Sequence, residues 1–186
     1  MIPWTPALPI NTDRLELRVH RIGDVDDMLQ FRSDPAVVRY VPWPVSTREQ
    51  VLEALKPRLI GGTVHKVGDW LVLAIVFRET GQVIGEVLLK NNGADEAELG
   101  FALHAKFHGR GIAREAAEAM LEIGVRELGL RRITAQLDER NTASARLLER
   151  LGFTLHRRFE EEFKGEQCWA LEYERLEPQA SARFDN

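Results

Sequence analysis

The chemically densest stretch of the chain is Leu103-His104-Ala105-Lys106-Phe107-His108-Gly109-Arg110-Gly111-Ile112-Ala113. Glycines at 109 and 111 allow a backbone to approach a ligand closely. A helical pattern starts directly after them, and the first-turn N–H groups of a helix lack internal partners and carry the positive end of its dipole. Together these features make a cradle for phosphate or pyrophosphate. Two common phosphate motifs do not fit it. Gly111-Ile112-Ala113 lacks the Gly-Lys-Ser/Thr triplet of a nucleotide-binding P-loop. A dinucleotide fingerprint needs a third glycine where Arg114 stands, and the strand feeding this turn arrives from a hairpin. His104 and His108 lie four apart, but a turn separates them and no third ligand is near, so we expect solvated or amide-bonded imidazoles and no metal.

The elements around the turn follow from periodicity. Thr12 to Val19 alternates polar and apolar residues and reads as a half-buried strand. Asp24 is placed to cap a helix through Met28, Leu29 and Phe31, and Asp34-Pro35 stops or bends it. Ser46 or Thr47, with Glu49 or Gln50 three residues on, reads as a capping box for a second helix running towards Leu59. Trp70–Phe77, Val83–Lys90 and Glu96–His104 read as three successive antiparallel strands. From Gly109 the period becomes 3.6, with Ala113, Ala116, Ala117, Met120, Gly124 and Leu128 on one face. A strand over 132–137, a helix over 141–151 and strands over 153–159 and 168–176 complete the order β-α-α-β-β-β-α-β-α-β-β. This predicts an α/β (α+β layered) fold with a mixed seven-stranded sheet flanked by helices, in one domain over 1–176, and a frayed tail over 177–186.

Composition sets outer bounds. The 186 residues are 44% hydrophobic and 29% charged, with a net charge of −4. That length suits one domain with a buried core, and the mildly acidic balance argues against a surface that grips nucleic acid. The longest apolar run, eight residues from Trp70 to Phe77, is far short of the roughly 20 that span a bilayer, and no leader peptide is evident. Cys168 is the single cysteine, which excludes an intrachain disulfide. We therefore expect a soluble cytoplasmic protein, a monomer or homodimer, with no nucleic-acid or membrane partner.

Lys106-Phe107-His108-Gly109-Arg110-Gly111 resembles the Arg/Gln-x-x-Gly-x-Gly/Ala signature of the GNAT acetyltransferase superfamily, with Lys in first place. Asn141-Thr142-Ala143-Ser144, followed by Leu148-Glu149-Arg150-Leu151-Gly152-Phe153, resembles the superfamily's Asn-x-x-Ser/Ala…Leu-Gly-Phe block. Asn11-Thr12-Asp13-Arg14-Leu15-Glu16-Leu17-Arg18 and Arg39-Tyr40-Val41-Pro42-Trp43 look like the branch of ribosomal-protein N-terminal acetyltransferases (RimJ/RimL-like). The resemblance covers about residues 10–176. It implies the GNAT fold, acetyl-CoA as co-substrate, and acetyl transfer to a primary amine, either a protein N-terminal α-amine or a small-molecule amine, by direct attack in a ternary complex.

The resemblance also implies site residues. Backbone groups of Phe101 and Leu103 would pair with the pantetheine arm, and a main-chain N–H near Phe101 or Ala102 would face the oxyanion. The turn residues Lys106, His108, Gly109, Arg110, Gly111, Ile112, Ala113 and Arg114 would hold the pyrophosphate. Asn141 would contact the pantetheine, with Ser144 near the sulfur. Many relatives place a Tyr four residues beyond that Ser as the proton donor to the thiolate. Leu148 stands there, which leaves Ser144 as the candidate acid. Gln136 occupies a position some relatives give to a carboxylate, so Glu98 and Glu161 are the candidate general bases. Trp43 is expected on the acceptor wall and Trp70 in the core. A small-molecule detoxification acetyltransferase and a non-catalytic acyl-CoA sensor on the same fold are the alternatives.

Overall fold

Residues 3–178 are described by a computed structural model. Its sheet has the strand order β1-β2-β3-β4-β5-β6-β8-β7. The strands are β1 (Ile10–Asn11), β2 (Leu15–Arg18), β3 (Trp70–Phe77), β4 (Gln82–Gly93), β5 (Glu96–Leu103), β6 (Arg132–Asp138), β7 (Thr154–Phe163) and β8 (Glu166–Leu176). All seven expected strands are present. The eighth, β1, is two residues long and pairs with Glu16 and Leu17, too short for any alternation to announce it.

The first five strands are antiparallel neighbours, whereas β5 and β6 run parallel. Helix α4 (Ile112–Arg126) makes the crossover between them. Its buried face includes Ala116, Ala117 and Met120 and packs with Leu71, Leu73, Ile75 and Phe77 of β3. The other face of β3, with Ala74 and Val76, packs against α1 (Val25–Arg32) and α3 (Arg48–Leu55) through Met28, Phe31, Val51 and Leu55. Covered on both faces, β3 is apolar throughout instead of alternating. Each fully buried side chain such as Met28 or Phe31 is worth about 1.5–3 kcal/mol of transfer free energy.

Local signals explain the helix ends. Thr47 and Gln50 form the expected capping box: the Gln50 N–H donates to Thr47 Oγ1 at 3.3 Å, and the Thr47 N–H donates to Gln50 Oε1 at 2.8 Å. Asp34 caps a separate one-turn helix, α2 (Pro35–Val38), accepting from the Ala36 N–H at 2.9 Å. Past α3 the chain tightens into a 3-10 turn over Lys56–Ile60, with Pro57 near its start.

Three expectations are corrected. Trp70 is 45% exposed and not core, because it opens β3 at the sheet's rim, where the Lys90 ammonium lies 5.3 Å above its ring. The final hairpin runs longer than its pattern suggested. Glu160, Glu161 and Glu162 stay paired with Trp169, Cys168 and Gln167, and a hairpin with few buried residues shows no apolar period there. Glu177 is not frayed: its N–H donates to the Arg131 carbonyl at 2.8 Å and its carboxylate pairs with Arg175 at 2.7 Å. The remainder of the expected tail, 179–186, lies outside the described residues.

Asp24 holds the N-terminal position of α1 but does not cap it with its side chain. It is buried, and it accepts from Arg18 Nη1 and Nη2 at 2.8 Å each and from the Arg21 N–H at 2.7 Å. Burial pushes its carboxyl up, but the Arg18 guanidinium, the His20 ring and the Arg21 amide outweigh this and hold it well below the usual carboxylate range. A carboxylate depressed on folding stabilises the fold above its unfolded pKa, and that stability is lost as pH falls through the folded value. Asp24→Ala strands a buried guanidinium and is expected to cost about 3–5 kcal/mol at pH 7. Urea unfolding at pH 7 and pH 3 checks this, with the gap to wild type narrowing at the lower pH.

Candidate active site

Where β5 ends, the backbone is held by two imidazoles. The His104 N–H donates to the Ile84 carbonyl at 2.7 Å, and His104 Nδ1 accepts from the Lys106 N–H at 3.2 Å. Burial and the Lys106 ammonium push the His104 pKa down, consistent with a neutral ring. His108 Nε2 lies 2.8 Å from the Leu103 carbonyl, which can only accept, so that nitrogen carries the proton. Both histidines thus serve the backbone. Among the described residues no group of three or more His, Cys, Asp or Glu is arranged to hold a metal.

Gly109 (φ +71°) and Gly111 (φ +75°) occupy the left-handed region, where a side chain is strained. Gly111 is the N-cap of α4, and no side chain caps the helix. The first-turn amides of Ile112, Ala113 and Arg114 are therefore left for a ligand or solvent. Glu115 braces the turn from behind. It accepts from Thr12 Oγ1 at 2.6 Å, the Arg14 N–H at 2.9 Å and Arg14 Nε at 2.7 Å, while Arg14 Nη1 donates to the Arg110 carbonyl at 2.9 Å. Thr12 and Arg14, read from sequence as strand residues that carry the family resemblance, stand between β1 and β2 and tie the start of the sheet to the turn.

Beside the turn the sheet parts. β5 and β6 pair only over Glu96–Glu98 and Arg132–Thr134, whereas β5 stays registered with β4 as far as Leu103. Main-chain groups alternate sides along a strand. Because the His104 N–H faces β4, those of Ala102 and Gly100 do too, and those of Leu99, Phe101 and Leu103 face the gap. On the β4 side there is no slack, since a Cβ on Gly85 would collide with the Ala102 carbonyl oxygen.

The gap opens into a cavity of about 1300 Å³ that runs from the α4 turn past Phe101 to Tyr40, Trp43, Arg58 and Trp70. Of the site residues expected from sequence, it is lined by Glu98, Phe101, Ala102, Leu103, His108, Gly109, Gly111, Ile112, Ala113, Arg114, Asn141 and Ser144. Lys106, Arg110 and Glu161 are not on its wall. The Arg110 guanidinium instead lies over Phe77 and Phe107, at 5.7 and 5.3 Å from their ring centres. Arg114 supplies charge at the wall while pairing with Glu118 at 2.8 Å.

Helix α5 (Thr142–Arg150) brings Asn141 and Ser144 to the wall. Asp138, held by Arg140, shapes the preceding turn, and its carbonyl accepts from the Asn141 N–H at 2.8 Å. Asn141 Oδ1 then accepts from the Ser144 N–H at 3.2 Å as the helix cap. Leu148 is buried in the core. Burial pushes the Glu98 carboxyl up, with Lys90 only 3.9 Å away. Glu161 reaches the cavity only through Gln136, whose Nε2 donates to it at 2.6 Å.

The sequence reading missed a buried polar corner at the far end. Glu86, on β4 opposite Ala102, is 1% exposed. Its carboxylate lies 2.9 Å from Arg58 Nε, 3.2 Å from Arg32 Nη1 and 3.5 Å from His20 Nε2. A lone carboxylate inside the apolar run Val83–Leu89 was the available signal.

Residues 14–154 match the acetyltransferase (GNAT) domain family. The chain is 31% identical over 150 residues to the uncharacterized N-acetyltransferase p20 of Bacillus licheniformis, covering 76% of this chain and 80% of that protein. Among solved structures, a GNAT-family acetyltransferase from Bacillus anthracis superposes with a TM-score of 0.80 at 24% identity, covering 91% of this chain and 98% of that one. RimL, the ribosomal L7/L12 α-N-protein acetyltransferase, in complex with coenzyme A, superposes with a TM-score of 0.75 at 22% identity, covering 89% and 95%. An uncapped helix entry beside a parted sheet edge, both opening on one cavity, is thus found in a chain that belongs to the GNAT family of acetyl-CoA-dependent N-acetyltransferases.

Proposed function

We propose that the chain transfers acetyl from acetyl-CoA to a primary amine by direct attack in a ternary complex, with the residues below in named roles. The carrying observation is that the free amides of α4 and the unpaired edge of β5 open on the same cavity. The amides of Gly109 to Arg114 suit a pyrophosphate, aided by the helix dipole and the Arg114 charge. Main-chain groups of Phe101 and Leu103 offer a short extra strand's worth of pairing to the pantetheine amides. When bound, acetyl-CoA supplies the activated acyl group.

Facing the gap, the Phe101 N–H is the better placed of the two candidate donors for the developing negative charge on the carbonyl oxygen, because the Ala102 N–H faces β4. Ser144 Oγ donates to the leaving thiolate, directly or through water. Glu98 takes the amine proton through water, and it is preferred to Glu161 because it stands on the wall itself. An α-amine, with a pKa of about 8 against about 10.4 for lysine, needs little such help at neutral pH. The acceptor is a protein N-terminus or a small-molecule amine. Buried Leu148, in the place of the usual Tyr, is the observation that favours the sensor alternative.

Calorimetry with acetyl-CoA is expected to show one site of micromolar to submillimolar affinity, and no binding contradicts the proposal. Ser144→Ala is expected to lower kcat about 10- to 100-fold while the Kd for acetyl-CoA stays within about threefold, as thiol release beside calorimetry will show. Burial raises the Glu98 pKa from its ordinary value against the Lys90 ammonium, so kcat/KM is expected to fall as pH drops through that raised value. Glu98→Gln is expected to flatten that acid limb, and a pH–rate profile unchanged in shape removes Glu98 from the role.

A further inference from the structure

The acceptor end of the cavity is short of negative charge. Across the sheet, Ala74, Glu86 and Ala102 form one row, and Val72, Leu88 and Gly100 form the next. Glu86 thus stands on that face directly across from Ala102, the residue after Phe101. Its single carboxylate serves two guanidinium groups: Arg32 Nη1 at 3.2 Å, and Arg58 through Nε at 2.9 Å and Nη2 at 3.3 Å. One arginine would neutralise it. A second, in so dry a corner, is costly unless another anion completes the set.

Among the described residues no nearby carboxylate does so. Asp24 is taken by Arg18 at 2.8 Å. Glu98 sits by Lys90 at 3.9 Å, and Asp69 accepts the His65 and Lys66 amides at 3.2 Å each. Arg32 is partly compensated by stacking on Trp43, 4.1 Å from the ring centre. Among the described residues Arg58 has no such ring beneath it, though its Nη1 donates to the Ala54 carbonyl, and it is the arginine of the two that lines the cavity, with its side chain 16% exposed. Buried donors around it also lack acceptors: Nε of Arg32, Nε1 of Trp43 and Nε of Arg58, the last close to Glu86 Oε1 but off hydrogen-bonding geometry.

We propose that the acceptor is a small amine bearing its own carboxylate, an amino acid or close derivative, whose carboxylate seats on Arg58. This rests on the acetyl-transfer reading above. Ala102, which pairs with Glu86, is the residue after Phe101, so the backbone of Glu86 lies about one strand spacing (~4.8 Å) and one residue rise (~3.4 Å) from that of Phe101, and Arg58 and Phe101 line the same cavity. An acceptor that reaches both carries its amine and carboxylate on one small molecule.

The test measures thiol release from acetyl-CoA with the standard amino acids, their decarboxylated amines, spermidine, and peptides with free N-termini. A carboxylate-bearing small amine is expected to exceed its decarboxylated partner at least tenfold in kcat/KM. Arg58→Gln is expected to reduce that ratio at least tenfold, and Arg58→Lys to reduce it less, in variants whose thermal unfolding shows a cooperative transition. A preference for spermidine, for a decarboxylated amine or for long peptides overturns the inference, as does a ratio unchanged in Arg58→Gln. Acetyl-CoA binding with no small carboxylate amine acetylated overturns this inference alone. Absent acetyl-CoA binding overturns the reading beneath it.

Discussion

The structure turns on a break in backbone pairing. β5 keeps its antiparallel partner to Leu103 but loses its parallel partner after Glu98. Main-chain N–H and C=O groups require partners wherever they are shielded from water. A strand that gives up a neighbour in mid-sheet must therefore offer its edge to solvent or to something strand-like. The gap is held open from both sides. On one, Gly85 lets β4 approach so closely that β5 cannot shift towards it. On the other, β6 is committed along its whole length to β8.

The charged clusters act as joints between elements that the core alone leaves free to slide. Glu115 with Thr12 and Arg14 fastens the glycine turn to the start of β2. Arg18 with Asp24 fixes the start of α1. Arg32 and Arg58 bring α1 and the turn after α3 onto Glu86 of β4. Lys164 Nζ donates to the carbonyls of Val38 and Trp43 at 2.6 and 2.9 Å, so the tip of the last hairpin holds the Pro42-Trp43 segment over the cavity. These joints absorb much of the chain's charge locally, and the cavity wall takes its character from individual groups rather than from the net −4.

Most of the element order was legible in the sequence because each long element carries a strong period or a cap: the apolar run of β3, the Thr47–Gln50 box and the helical face of α4. The turn was legible because left-handed glycines before a helix have a narrow set of uses. What could not be read depends on distance. Glu115 and Arg14 are 101 positions apart, and nothing local marks Glu115 as other than a solvated helix residue. Arg110 sits beside the glycines and reads as a phosphate ligand, yet the rings of Phe77 and Phe107 draw it off the wall. Trp70 belongs to the apolar run but begins it, and the end of a strand need not share the burial of its middle. The Glu86 corner left only a lone carboxylate in an apolar run as its trace, because its partners come from three separate segments.

The central claim is that the uncapped start of α4 and the free edge of β5 together hold acetyl-CoA. Amide hydrogen exchange, resolved along the chain with and without saturating acetyl-CoA, tests it most directly. Protection is expected to rise at the Leu99, Phe101 and Leu103 amides and at 109–114, while the exposed strand β7 stays unchanged. Saturable binding that leaves the Leu99, Phe101 and Leu103 amides no better protected, or that protects another part of the sheet instead, contradicts the account.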